Sequence, residues 1–329
     1  MGHALSNTPA PAPTVSLGMP VYNGERFVAE AVRSVLDQTF SDFELVICDN
    51  ASTDGTERIC RNFAVRDPRV RYFRNATNIG AHPNFNLTFQ HARAPFFKWF
   101  AHDDLLHPAY LEACLALMRA DPGVVLCQSD LEFIDEHGRS IGVIPWRLGG
   151  TTVDDPVRRF AATVLERHNC YDFMGVFRRE ILAQAPLQSF HGADRALLAH
   201  VATLGRFGHV ARPLMTVRDH ETRYTRTMTR PADRAKWADS RRPVRFSFPH
   251  WSVYGSYWRS VRQMPGGFGD KLRASVVLLG WWFTNWNAVR MALDPVALVA
   301  PDVVGFAEHF KQKHFSPAPG VDEIRGKPG

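Results

Sequence analysis

Along the first 130 residues, short apolar runs alternate with stretches in which apolar positions recur every three or four residues. Residues 15–19 read as a strand. Across 26–38, Phe27, Ala31 and Val35 share one face with Val28, Val32 and Leu36 beside it, the period of a packed helix. Residues 43–48 form the next buried strand, and Asp54 with Glu57 three positions on reads as a capping box opening a helix through Phe63. Residues 70–73, 96–100 and 124–128 are further strands. Helices are expected over 84–92 and over 108–119, the second opened by its proline. This alternation predicts an α/β fold, a mostly parallel sheet with helices on both faces. Ligands bind such sheets beyond the carboxyl ends of the strands, so the turns after the first, second and fourth strands are where chemistry is sought.

After residue 130 the pattern loosens. Glu136-His137-Gly138 signals a hairpin, 156–167 an amphipathic helix, 173–177 a strand, 195–204 a helix and 210–217 a strand. Beyond His220 the composition shifts to Arg and Trp, which predicts a helical C-terminal extension. The expected organisation is a loose leader at 1–13, an α/β unit at 14–228 with halves at 14–130 and 131–228, the extension at 229–315, and a Pro/Gly-rich tail at 316–329.

Composition sharpens this picture. The 329 residues, 45% hydrophobic and 22% charged, can bury a sizeable core and exclude a disordered chain. The net charge of +6 is local: residues 212–273 hold fourteen Lys/Arg against five Asp/Glu, whereas 1–125, 126–211 and 274–329 sum to −2, −1 and 0. An evenly basic nucleic-acid coat is therefore not expected, and an anionic partner would meet 212–273. The five cysteines are odd in number and widely spaced without a C-x-x-C, which suits buried thiols in a reducing compartment. The leader lacks a basic start and an apolar segment, so it does not read as a signal peptide, and its Met1-Gly2...Ser6 match to a myristoylation pattern reads as chance. The longest apolar stretch, 274–289, is interrupted by Thr284, Asn285 and Asn287. It falls short of the ~18 to 20 residues that span a bilayer. A cytoplasmic protein is expected, with peripheral contact at the inner membrane face as a further reading.

Three turns carry candidate chemistry. After the first strand, Pro20, Val21, Tyr22, Asn23, Gly24 and Glu25 offer an aromatic face for a base and an amide for its edge; an ordinary turn punctuated by Asn-Gly is the plainer reading. After the second, Asp49, Asn50, Ser52 and Thr53 bring short polar groups to a helix N-terminus, where a nucleoside would fit, although capping alone explains Asp54. After the fourth, the apolar run around Lys98 empties into His102, Asp103 and Asp104. Two adjacent carboxylates are costly without a cation, and a hard divalent ion that also grips a diphosphate meets that need. The alternative is a solvated acidic turn ahead of Pro108.

Taken together, Pro20-Val21-Tyr22-Asn23, the blocks 34–40 and 42–45, the turn 49–56, Asn78-Ile79-Gly80 and the double Asp follow one another so that residues 14 to about 135 resemble a family 2 glycosyltransferase. The resemblance implies an A-type glycosyltransferase fold, Rossmann-like, and inverting transfer of a sugar from a nucleotide-diphosphate donor. It implies that Pro20, Tyr22 and Asn50 line the base and ribose pocket. Val21, Asn23, Glu25, Asp49, Asn78, Gly80, Lys98 and Asp103 are assigned to the same nucleotide-sugar site. Asp104 would be the direct ligand of Mn2+ or Mg2+, joined by Asp103 and by His220. Asn50 stands where the family often has Asp, which leaves uridine preference open. His102 stands where a third acid is common. Asp194, in Gly192-Ala193-Asp194-Arg195, matches the position of the general base that takes the acceptor hydroxyl's proton; an N-cap for the helix 195–204 is its other reading.

The acceptor is expected to be a hydroxyl of a glycan, a lipid-linked or another small molecule, in cell-surface polysaccharide or glycolipid synthesis. The extension interleaves Arg with Trp237, Phe246, Phe248, Trp251, Tyr254, Tyr257 and Trp258 but carries no RNA-binding motif. Packing against the α/β unit is one reading, and an amphipathic surface through 212–290 that meets anionic lipid is the second. A sugar nucleotidyltransferase would need a G-x-G-x-R loop after the first strand, which Gly18-Met19-Pro20-Val21-Tyr22 does not supply. A non-catalytic sugar-nucleotide-binding module docking through its basic extension is the third reading, and Asp103, Asp104 and Asp194 argue against it.

Overall fold

The computed structural model describes residues 12–223, 231–241, 248–284 and 286–299. The expected boundary near 228, most of the leader, and the extension and tail from residue 300 on lie outside them. Strands β1 (Val15–Val21), β2 (Phe43–Asp49), β3 (Val70–Arg74) and β4 (Phe96–Trp99) pair in the order 3-2-1-4, all parallel. Helices α1 (Val28–Leu36), α2 (Thr56–Arg66) and α3 (Ala81–His91) connect them. Every residue of β1, β2 and β4 is buried, as strands covered on both faces require.

The sheet then changes character. β4 pairs antiparallel with β8 (Val176–Arg178), and β8 antiparallel with β6 (Val124–Ile134), which runs parallel to β9 (Arg206–Arg218). The short strand β5 (Leu105–Leu106) lies antiparallel on β9, and β7 (Ser140–Ile144) folds back on β6 through the Glu136-His137-Gly138 turn. Strands β1 to β4, β6 and β9 thus run one way, and β5, β7 and β8 the other. The remaining helices of this unit are α4 (Tyr110–Ala120), α5 (Pro156–Leu165), α6 (Arg179–Leu182) and α7 (Ala193–Leu204).

Two local expectations are corrected. Residues 171–174 form a tight helical turn ahead of β8 rather than its beginning, because the Phe173 ring turns in to stack on Trp99 at 4.7 Å. The α2 capping box does not close: Asp54 accepts from Thr56 N and Oγ1, while Glu57 pairs with Arg61 and Arg74. Strand β6 also outruns its apolar stretch, since β9 pairs with it as far as Ile134 and β7 pairs with Leu131–Ile134.

The extension folds as α8 (Pro231–Ala238), α9 (Pro249–Gln263), α10 (Phe268–Phe283) and α11 (Asn287–Val299). Val253, Tyr257, Ala274, Leu278 and Trp281 pack with Val157, Phe160 and Val164 of α5 and Ala199 of α7 as one apolar cluster. Asp155 caps α5 and also pairs with Arg273 of α10 at 2.5 Å. Of the extension's described aromatic side chains, Tyr257 and Trp281 are core, and Tyr254, Trp258 and Trp282 pack partly buried against the same cluster.

Lys98 departs from its expected place in the nucleotide site. The alternation of β4 turns it into the interior, where Nζ donates to Met174 O and Tyr110 Oη and lies against Met215 Sδ. Burial pushes its pKa down to about 7. Between that value and the ordinary ~10.4 of an exposed lysine, the unfolded chain binds the proton that the fold has lost, so this group favours folding increasingly as pH rises. The melting temperature of the wild type relative to Lys98→Met should rise from pH 7 to pH 9. Parallel profiles would mean that Lys98 stays charged in the fold.

Candidate active site

At the carboxyl edge of β1 and β2 the two turns are tied to each other. Asn23 (φ +50°) donates from its backbone to Ser52 Oγ at 2.9 Å and accepts on Oδ1 from Thr53 N at 2.9 Å. Gly24 N donates to Thr56 Oγ1 at 2.8 Å, Glu25 N to Asp54 Oδ2 at 3.0 Å, and Gly55 N to Glu25 Oε2 at 2.8 Å. The side chains of Asn23 and Glu25 thus take part in joining the turns. Pro20 and Val21 are buried at the end of β1, and Tyr22, 44% exposed, is the large side chain of this turn that faces solvent.

The next turn is held as tightly. Asp49 is enclosed and accepts from Ser52 N at 2.8 Å and Tyr72 Oη at 2.6 Å. Asn50 uses both ends of its amide: Nδ2 donates to Asn78 Oδ1 (2.9 Å) and Gly80 O (3.2 Å), and Oδ1 accepts from Asn75 Nδ2 and Ile79 N at 3.0 Å each. Asn50, Asn78 and Gly80, all expected in the nucleotide site, come together here and fix the loop after β3. Gly80 has φ +90°, and a Cβ there would lie 2.6 Å from the Asp239 backbone just after α8. Ser240 Oγ closes that contact by donating to Asn78 O at 2.7 Å.

The acidic turn lies beside them, with His102 so close over Gly24 that a Cβ there would meet it at 2.5 Å. Asp103 Oδ2 contacts His220 Nε2 at 2.9 Å, and its backbone carbonyl accepts from Arg218 Nε. Asp104 is buried and accepts on Oδ1 from Arg218 N at 3.1 Å. Burial opposes ionisation at both, but the His220 hydrogen bond and the charges of His102 and Arg223 hold Asp103 well below the usual carboxylate range. Burial and then the Asp103 charge push Asp104 up. Two carboxylates and an imidazole have the donor chemistry of a hard divalent-ion site. Asp103 and His220 already touch, whereas Asp104 is turned to a backbone N–H, and no three acidic, imidazole or thiolate groups are grouped to hold an ion among the described residues. The arrangement fits an ion bound by one or two protein ligands and completed by substrate phosphate and water.

Asp194 stands inside the first turn of α7, with Gly192 at the cap, so it does not serve as the N-cap; its Oδ1 accepts from Arg195 N at 2.9 Å. Residues 170–171 link it to the acidic turn. Burial pushes the Cys170 thiol up, with the nearby Asp194 charge adding to the shift, and buried Tyr171 bonds with Arg223 and feels the Asp104 charge. His82, at the start of α3, lies on the other side of Asp194; burial pulls its pKa down while the Asp194 charge opposes the shift, and its Nδ1 has no hydrogen-bond partner. Arg218, Arg223, Cys170, Tyr171 and His82 were not singled out from the sequence. The run Arg218-Asp219-His220 at the end of β9 was the one signal available, since a chain segment that returns a His to an acidic pair can return its neighbouring Arg as well.

Replacing Asn50 by Asp keeps the two acceptor roles and loses both donors, setting a charge against two oxygens. We expect a loss of about 1–3 kcal/mol by urea denaturation; an unchanged midpoint would mean that the loop after β3 does not depend on this amide.

The family model described as Glycosyl transferase family 2 matches residues 16–185, from β1 to just past α6. Asp194 and His220 lie beyond the matched segment. EpsE of Bacillus subtilis (strain 168) is 33% identical over 135 residues, 40% of this chain and 49% of that protein. Chondroitin synthase of Escherichia coli is 33% identical over 129 residues, 39% of this chain and 19% of the synthase. The chain thus spans about half or less of the length of these relatives. Among solved structures, S. aureus TarS 1–349 in complex with UDP-GlcNAc superposes with a TM-score of 0.61 at 14% identity, covering 95% of this chain and 89% of that one. At that identity the likeness is one of fold.

Proposed function

Because this chain belongs to glycosyl transferase family 2, we propose that it transfers a sugar from a nucleotide-diphosphate donor to an acceptor hydroxyl, with inversion at the anomeric carbon. The observation that carries the reading is the contact between Asp103 and His220, 117 residues apart, at the carboxyl edge where the parallel strands end. Tyr22 offers its exposed ring to the base. The backbone ties around Asn23, Ser52 and Asn50 hold the surrounding turns in place before a ligand arrives, which lowers the ordering cost of binding.

Asp103 and His220, with Asp104 behind them, would hold a divalent ion, Mn2+ or Mg2+. Such an ion, when bound, neutralises the charge that builds on the departing diphosphate. Asp194 would accept the proton of the acceptor hydroxyl as its oxygen forms the new bond to the anomeric carbon. The bond from that carbon to the diphosphate oxygen breaks on the opposite face, and the electron pair leaves with the nucleoside diphosphate. The backbone N–H of Arg195 donates to Asp194 Oδ1 at 2.9 Å and so orients the carboxylate. Arg223, between Tyr171 and the two acids, adds a fixed positive charge beside the leaving group. The acceptor class is read as a glycan or lipid-linked hydroxyl used in surface polysaccharide or glycolipid synthesis.

Asp194→Asn should reduce transfer roughly a hundred- to ten-thousand-fold, the usual range for a general base, while nucleotide affinity is kept. Wild-type turnover would remove Asp194 from the mechanism. In a thermal-shift panel of nucleoside diphosphates with and without Mn2+, at least one should stabilise the protein more strongly with the ion. No metal-dependent stabilisation by any of them would remove the donor-site assignment.

A further inference from the structure

Helix α10 is apolar on two opposite sides. Ala274, Leu278 and Trp281 are buried in the cluster shared with α5. On the other side Phe268, Leu272, Val276, Leu279 and Phe283 are between 56% and 89% exposed. With 3.6 residues per turn these five fall in an arc of about 80° and run the full length of the helix, ~24 Å. No polar or charged residue interrupts that arc. Trp286 and Val289, at the start of the next helix, are also exposed. Five large apolar side chains in one unbroken ridge are more than the scattered exposure normal for a protein surface.

The charges around the ridge point to what covers it. Lys271 lies about 60° beyond one edge of the ridge on the same helix and donates to Arg262 O at 3.0 Å, whereas Arg273, about 60° beyond the other edge, is turned to Asp155 and Asp270. Across residues 248–299 the chain carries Arg259, Arg262, Lys271, Arg273 and Arg290 against Asp270 and Asp294. Asp270 lies on the side away from the ridge, where it pairs with Arg273 and caps the helix at Gly267. An apolar ridge with Lys271 at one edge, on a segment whose Lys and Arg outnumber its Asp and Glu five to two, and facing away from the protein core, matches the chemistry of an anionic bilayer surface. A second copy of the chain would instead bring two such basic segments together, which like charge opposes. None of the described helices is long and apolar enough to cross a membrane, so the helix would lie flat, with its apolar side chains at the acyl boundary and Trp286 at headgroup level.

We propose that the outer face of α10 docks this protein on anionic membranes. The proposal does not rest on the sugar-transfer reading, because binding to lipid is measured without turnover. Flotation with vesicles of phosphatidylcholine containing phosphatidylglycerol, and with pure phosphatidylcholine, at low and high salt, tests it on the full chain. The wild type should float with the anionic vesicles at least tenfold more than with the neutral ones, and less at high salt. Leu272→Glu with Leu279→Glu should lose flotation at least tenfold while keeping the melting temperature, since both positions are exposed; Phe268→Glu, at the start of the helix, provides a second variant. Wild-type protein that stays unbound at low salt, or a double variant that is folded and still floats, would overturn the proposal. So would a concentration-dependent dimer that the same substitutions convert to monomer, because the ridge would then be a subunit interface.

Discussion

Placing Asp103 next to Asp104 where β4 meets the protein interior is the demand around which the carboxyl edge is organised. Two adjacent carboxylates removed from water repel each other and lose hydration, and neither cost is met by the strand that carries them. The remedy comes from the far end of the sheet. Strand β9 runs thirteen residues beside β6 and delivers Arg218 and His220 to the acidic turn, with Arg223 just after them. One carboxylate is thereby held ionised against His220, and the other is kept from ionising freely.

The same edge shows how rigidity is distributed. Most side chains that the family resemblance assigns to the nucleotide are engaged with one another in this structure: Asn23 with Thr53, Glu25 with Gly55, and Asn50 with the loop around Asn78 and Gly80. Hydrogen bonds between turns, rather than within them, make three separate β-α connections into one surface. The extension takes part in this, since Ser240 and the backbone of Asp239 close over Asn78 and Gly80. The C-terminal region is therefore coupled to the loop after β3 as well as to α5 and α7.

A helix such as α10, apolar on two sides, illustrates why the basic, aromatic character of the C-terminal region supported two readings at once. Leu278 and Trp281 serve the core, which is the packing reading, while Phe268, Leu272 and Phe283 face outward. Both patterns occupy the same sixteen residues. Periodicity alone does not assign a stripe to the interior or the surface when stripes occur on both sides of a helix.

The alternation of strands and helices through residue 130, and the order of the motifs upon it, were legible because each depends on neighbours within a few positions: the apolar period, turn residues, and an acidic pair at a strand's end. That local information determined the α/β class, a mostly parallel sheet and the edge at which a site would form, while the 3-2-1-4 order of its first half came from the strand pairing. It also gave the C-terminal extension its helical reading. What it could not decide were interactions between residues far apart in sequence. The alternation of β4 placed Lys98 inside against Met174 O, although its neighbours Asp103 and Asp104 sit at the edge. Asn50 met Asn75 and Asn78 only because β2 and β3 are paired, and Cys170, Tyr171, Arg218 and Arg223 reached Asp194 and the acidic turn only through β6, β8 and β9. Burial, charge state and hydrogen-bond partner are properties of the assembled surroundings, so a residue's type and spacing fixed what chemistry it could offer, and the tertiary structure decided whether that group faced a ligand, a neighbour or the core.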